Sequence, residues 1–226
     1  GREFACACAR AASAKHMIEA LGVPHTEVEL VLVNGESVGF ERRLHEGDRV
    51  AVYPKFEALD VTALVRARDR ALRQTRFIAD SHLGALARLL RMAGFDTLYD
   101  NQLRDSDIEA IAAHEERIVL TRDRELLKRR RITHGCYVHP SKPDQQLRQI
   151  FGRLDLSRSA RPFTRCLQCN VLLRPIDKAA AAARVPAGVL ERYERFSSCE
   201  ACGRVYWKGA HWQRMRRTLD GIMADA

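Results

Sequence analysis

Two cysteine pairs set the tightest constraint on this chain. "CLQC" at 166–169 and "CEAC" at 199–202 have 29 residues between them, and each CxxC forms a knuckle whose two thiolates face one point. Four thiolates close a tetrahedral structural Zn2+ site, here Cys166, Cys169, Cys199 and Cys202. The gap exceeds the common spacing of roughly 15–20, and the helix-prone run "KAAAAAR" (178–184) fills it. Paired disulfides fit a chain of cytosolic character poorly. No CxxC opens a thioredoxin-like helix, which argues against redox use. A stretch of about 65 residues with few large apolar side chains needs such a staple to fold. A zinc ribbon is therefore expected over 161–226.

Ahead of it, residues 76–158 alternate short apolar runs with amphipathic ones. "FIAD" precedes the helix "LGALARLLRMAG", whose Leu83, Leu86 and Leu90 line one face and whose Gly94 stops it. "FDTLY", "DIEAIAAHEE", "RIVLT", "RELLKRR" and "GCYVH" continue the rhythm, and "DQQLRQIFGRL" closes it. Such alternation predicts an α/β domain, a mainly parallel sheet with helices on both faces. In such sheets the reactive crevice lies beyond the carboxyl ends of the strands. Asp80 follows "FIA" and Asp123 follows "IVLT" by one residue, so both fall on that rim if their strands are central. Asp105 and Asp107, in "RDSDIEAI", open a helix on the same rim.

Crowded carboxylates repel unless a cation neutralises them. Oxygen-only clusters suit Mg2+ or Mn2+, which also bind phosphate oxygens and activate water for phosphodiester cleavage. The plainer alternative is capping: Asp80 before "SHLGAL", Asp123 before "RELLKR", and Ser106 with Glu109 as a capping box. Three acidic points on one rim, above basic side chains, favour the metal site.

Residues 1–56 carry 7 Lys/Arg against 8 Asp/Glu, 57–160 carry 19 against 15, and 161–226 carry 12 against 6. The basic excess sits in the last two segments, which favours a polyanionic partner, most simply nucleic acid. "GRVYWKGAHWQRMRR" interleaves aromatic rings with cations, suited to stacking on unpaired bases; Lys208 and Trp212 are the candidates there, while Trp207 could equally pack on the zinc knuckle. No apolar run approaches the roughly 18–20 residues of a membrane span, and "GREFACACAR" has no apolar signal core. A cytoplasmic protein without a membrane partner is expected.

The first segment, 1–56, reads as helix "SAKHMIEALG", strand "VELVLV", turn Asn34–Gly35 and strand "DRVAVYP". This is similar to a β-grasp (ubiquitin-like, sulfur-carrier-like) domain. It lacks the Gly-Gly terminus of sulfur carriers, and "VAVYPKFEALD" runs on into a connecting stretch, 57–75. A β-grasp sheet begins with a hairpin, whereas only about a dozen residues precede the helix. That leaves room for one strand, "EFACACA", so either the first strand is missing or the chain starts late.

"FIADSHLGALARLLRMAGFDTLYD", "DSDI" and "RIVLTRDRELLKRR" resemble the Mut-seven C-terminal RNase family, a PIN-like nuclease group that continues into a Cys-rich tail and occurs fused to a β-grasp domain. The resemblance covers 76–220, with the nuclease domain drawn at 76–160. It implies metal-dependent cleavage of RNA, with Asp80, Asp105 and Asp123 holding Mg2+ or Mn2+; the expected partner is single-stranded RNA. Such nucleases often carry a fourth acid, for which Asp107 and Glu125 are the candidates. Thr121 could position water or simply fill a β-branched strand slot. Arg88, Arg91, Arg122 and Arg124 could hold phosphates. The β-grasp would dock a protein partner or a second copy of the chain. A non-catalytic RNA-binding protein and a protein-interaction adaptor are the rival readings.

Overall fold

The computed structural model describes residues 3–7, 12–54 and 75–224. Cys8 and all of the expected connecting stretch except Thr75 lie outside them. The first described unit opens with helix α1 (Ala14–Ala20), started by Ser13, whose hydroxyl oxygen accepts the His16 N–H at 3.2 Å. Strands β1 (Leu30–Val33), β2 (Glu36–Val38) and β3 (Val50–Tyr53) form an antiparallel sheet in the order β2-β1-β3. Val33 pairs with Glu36, so Asn34 and Gly35 alone make the turn, both with positive φ (54° and 86°) as a type I′ hairpin requires. Ala14 and Ile18 of α1 pack on Val28, Val31, Val33 and Leu44. Residues 3–7 form no strand, contrary to the expectation for "EFACACA". Phe4 there is 65% exposed.

The second unit runs β4 (Arg76–Ala79), α2 (Gly84–Met92), β5 (Asp96–Tyr99), α3 (Asp105–Glu115), β6 (Ile118–Thr121), α4 (Arg124–Lys128), β7 (Gly135–Tyr137) and α5 (Pro143–Leu154). Its four strands are all parallel, in the order β5-β4-β6-β7, which makes β4 and β6 the central pair. Helices cover both faces. Phe77, Ala79 and Leu120 join Leu86 and Leu90 of α2 and Ile150 and Phe151 of α5 on one side. Ile78 and Val119 meet Ile108 of α3 and Leu126 and Leu127 of α4 on the other. Alternate side chains of a strand point to opposite faces, so burial on both sides gives the continuous apolar runs "FIA" and "IVL". Each buried Phe, Ile, Leu or Val among them contributes about 1.5–3 kcal/mol.

The third unit holds β8 (Arg174–Ile176), α6 (Lys178–Ala182), α7 (Ala187–Arg192), β9 (Phe196–Ser198), β10 (Val205–Tyr206) and α8 (Ala210–Ala224), with an antiparallel sheet β10-β9-β8. It is not a free appendage. Leu219 and Ile222 of α8 are buried in the same cluster as α2 and α5.

Where the two units join, Gly94 has φ +97°, and a Cβ there would overlap the Arg161 backbone carbonyl. Arg161 N–H and Phe163 N–H donate to Ala93 O and Met92 O (2.9 and 2.8 Å), so the clash cannot relax by a side-chain turn. Gly94→Ala should destabilise by roughly 3 kcal/mol or more, read as a fall in the denaturant midpoint; a wild-type midpoint would contradict this packing.

Candidate active site and a four-cysteine centre

The parallel registers set a row of residues on the carboxyl rim. Ala79 aligns with Tyr99 on one side and Leu120 on the other, so the next positions are Asp100, Asp80 and Thr121. Asp80 Oδ1 accepts the Ser81 N–H at 2.6 Å and Oδ2 accepts the Thr121 hydroxyl at 2.7 Å. Thr121 Oγ1 in turn accepts the Asp123 N–H at 2.9 Å, and Asp123 Oδ1 accepts the Glu125 N–H at 2.8 Å. Thr121 is fully buried. It therefore ties the two aspartates together, a task beyond filling a strand slot. Both aspartates also cap their turns, so the capping and rim readings coexist.

Asp105 sits at the start of α3, where its Oδ2 takes Arg129 Nη2 at 3.0 Å; Arg129 Nη1 reaches Glu109 at 3.3 Å. Among the described residues, Asp80, Asp105 and Asp123 are not drawn into one metal-ligating group. Asp107 Oδ2 accepts the Arg104 N–H at 3.0 Å, so Asp107, rather than Ser106 with Glu109, closes the helix start. Glu125 pairs with Lys128 at 2.7 Å. Asp100 is a rim carboxylate that the sequence reading passed over, although "DTLYD" ends in an acid just as "RFIAD" does. It is exposed, and its Oδ1 accepts the Gln102 N–H at 2.9 Å.

Of the arginines expected at phosphates, Arg88, Arg122 and Arg124 are exposed. Arg91 is not: it is 5% exposed and donates to Thr97 O (2.9 Å), Leu167 O (3.2 Å) and Gln168 O (2.8 Å). The last two carbonyls lie inside the first cysteine knuckle, so Arg91 fastens that knuckle to the sheet. Lys208 Nζ stands 5.3 Å over the Trp212 ring, which leans on Phe163 at 5.0 Å. Trp207 packs with the ribbon cluster of Ala181, Val185 and Phe196.

Asn170 completes the seam, accepting the Thr97 N–H (2.9 Å) and donating to Asp96 Oδ1 (2.8 Å). Arg117 donates to the same Asp96 oxygen at 2.6 Å. Burial alone would push the Asp96 carboxyl up, but the bonds from Arg117 and Asn170 outweigh it and hold it below the usual carboxylate value. A lowered folded pKa stabilises above the unfolded value of about 3.9, and that contribution is lost as pH falls through the folded value. Asp96→Asn should therefore flatten the acid limb of a melting-temperature profile below about pH 4; a limb as steep as wild type would remove Asp96 from the account.

The sulfurs of Cys166, Cys169, Cys199 and Cys202 all lie within 4.8 Å of one another. Zn–S bonds of about 2.3 Å imply tetrahedron edges of about 3.8 Å, and Cys166 Sγ is 3.8 Å from Cys202 Sγ. Burial pushes the Cys166 thiol up, yet donation from the Tyr206 hydroxyl and from the Cys169 and Gln168 backbone N–H brings it to about 6. Contact with the Cys202 sulfur, above all, pushes Cys169 up to about 12. The donor set fits a soft divalent cation and could hold zinc. Cys136 is buried in β7, and burial raises its thiol to about 12; Cys6 is exposed. Among the described residues, no helix is long and apolar enough to cross a membrane.

No curated protein and no solved structure matches this chain. Two family models do: the Mut7-C RNAse domain over residues 75–219 and the Mut7-C ubiquitin domain over residues 1–60. The resemblance drawn from "LGALARLLR" and "LTRDRELLKRR" is borne out, and the chain belongs to the Mut7-C RNAse domain family, with a Mut7-C ubiquitin domain ahead of it.

Proposed function

We propose that this protein is a PIN-like ribonuclease that cleaves RNA phosphodiester bonds at the rim formed by Asp80, Asp105 and Asp123. The RNAse family match supports a nuclease role. The observation that carries the site is the Asp80–Thr121–Asp123 bridge across the ends of the two central strands. Asp80 and Asp123 are the residues suited to hold Mg2+ or Mn2+, with Asp105 joining them once it leaves Arg129. Asp107, Glu125 and now Asp100 are the candidates for a fourth acid. Such a cation would supply charge neutralisation and an activated water. The chain's own part is to orient the carboxylates through Thr121 and to hold RNA phosphates with Arg88, Arg122 and Arg124.

In this reading the four cysteines hold Zn2+, and Lys208 with Trp212 contacts unpaired bases. The domains are drawn at 1–56, 76–160 and 161–226, with 57–75 between them. The four thiols suit a reducing compartment, hence the cytoplasm. Labelled single-stranded RNA incubated with Mn2+, Mg2+, neither cation, or EDTA with zinc content followed tests this: cutting with either cation, and none without them while zinc is retained, is expected. RNA binding without cutting would instead favour a non-catalytic RNA-binding protein, the reading to which the Asp105–Arg129 ion pair lends weight.

A further inference from the structure

The 3-10 turn His25–Glu27 leads into β1 but packs against the nuclease sheet. The Glu27 side chain is 7% exposed. Its Oε1 accepts the Tyr137 backbone N–H at 2.6 Å and Arg153 Nη1 at 3.0 Å, while Oε2 accepts Arg153 Nη2. Gly135, on the same strand, permits the approach: a Cβ there would meet Thr26 Oγ1 at 3.3 Å and run into Leu127 of α4. Tyr137 is the register partner of Thr121. Its ring lies 5.0 Å from the Arg124 guanidinium and 4.7 Å from His139. Arg124 directly follows Asp123.

The geometry points to Glu27 as a positioning residue. Through Tyr137 it holds Arg124 at the rim for an RNA phosphate, which makes the ubiquitin-like domain a working part of the nuclease's binding surface. This role rests on the reading of the rim as an RNA-cleaving site. A charged hydrogen bond to a strand-end N–H, backed by a two-pronged arginine, fixes direction as well as distance. Arginine over an aromatic ring keeps its edge donors for a planar oxygen partner. Truncating Glu27 would remove the acceptor of the Tyr137 N–H. The pairing with β6 and the Gln149 bond to Tyr137 O remain, so the effect is a looser ring beside Arg124 rather than loss of the strand.

The test is RNA affinity of the full chain with no Mg2+ or Mn2+ added, so that cutting does not confound it and the cysteine site keeps its zinc, measured across salt concentrations. Arg124→Ala should weaken binding roughly three- to tenfold and reduce the salt slope by about one. Glu27→Ala should do the same, and the double variant should lose no more than either single one, because both changes remove one contact. Glu27→Gln keeps an acceptor for the Tyr137 N–H and should recover most of the affinity. If Glu27→Ala fails to fold, Tyr137→Leu, which removes the ring beside Arg124, should weaken binding as Arg124→Ala does, and wild-type affinity there would overturn the role. Wild-type affinity and salt slope in Glu27→Ala, or losses that simply add, would overturn the role while leaving the nuclease reading in place. A wild-type protein that neither binds nor cuts RNA would bring down that reading and this role together.

Discussion

Asp80→Asn should lower RNA cleavage a hundredfold or more, an effect of the size seen when a charged group at a reacting centre is removed. Asparagine keeps the shape but only one acceptor oxygen, for either the Thr121 hydroxyl (2.7 Å to Asp80) or the Ser81 N–H (2.6 Å). A melting temperature measured beside the rate separates lost charge from a lost cap. Asp123→Asn should behave alike, because Thr121 binds both residues into one unit and members of a unit fail together. RNA affinity with no Mg2+ or Mn2+ added should change little in either variant. Rates indifferent to both substitutions and to EDTA would leave the two aspartates as caps of their turns. Asp105→Asn is the informative companion. A loss as large as that of Asp80→Asn would mean that Arg129 gives up Asp105 when RNA arrives; a small loss would keep Asp105 as an ion-pair partner.

The second large effect concerns the cysteines. Cys199→Ser should abolish stoichiometric zinc and unfold the third unit, since structural zinc supplies roughly 10–16 kcal/mol in comparable small sites. Damage should also spread. Leu219 and Ile222 would leave the core shared with α2 and α5, and Arg91 would lose the Leu167 and Gln168 carbonyls. A buried guanidinium left with the Thr97 carbonyl alone is costly. Both tryptophans of the chain, Trp207 and Trp212, lie in the third unit, so their fluorescence follows its melting, while far-ultraviolet circular dichroism follows the whole. Both signals should move to lower temperature. A variant that keeps the wild-type melt and never held zinc would remove the metal from the account.

The sequence made the parallel sheet legible because its strands are buried on both faces and each is punctuated by a helix. The Asn34–Gly35 turn and the cysteine spacing were equally local signals. Arg91 was misjudged for a physical reason. It follows Leu83, Leu86, Ala87 and Leu90 on the inner face of its helix, but an arginine there reads as a surface phosphate ligand until its distant partners are known. Those partners, Leu167 and Gln168, are backbone carbonyls 76 and 77 residues away, and a carbonyl leaves no mark on residue type. Asp105 shows the same limit. Its place on the rim was legible from "RDSDI", but its pairing with Arg129 across to the end of α4 was not. Asp100 was within reach, since a carboxylate directly after an apolar strand had already been singled out at Asp80.

β5 is an outer strand, and its Thr97 N–H finds an acceptor in the side chain of Asn170, 73 residues later in the chain. Until the first knuckle has been synthesised and closed, that N–H lacks this acceptor, and an open strand edge is a template on which other chains can add. The knuckle thus serves solubility as well as architecture. A growing chain is at risk of sticking to its neighbours in the interval between the emergence of β5 and the folding of the first knuckle.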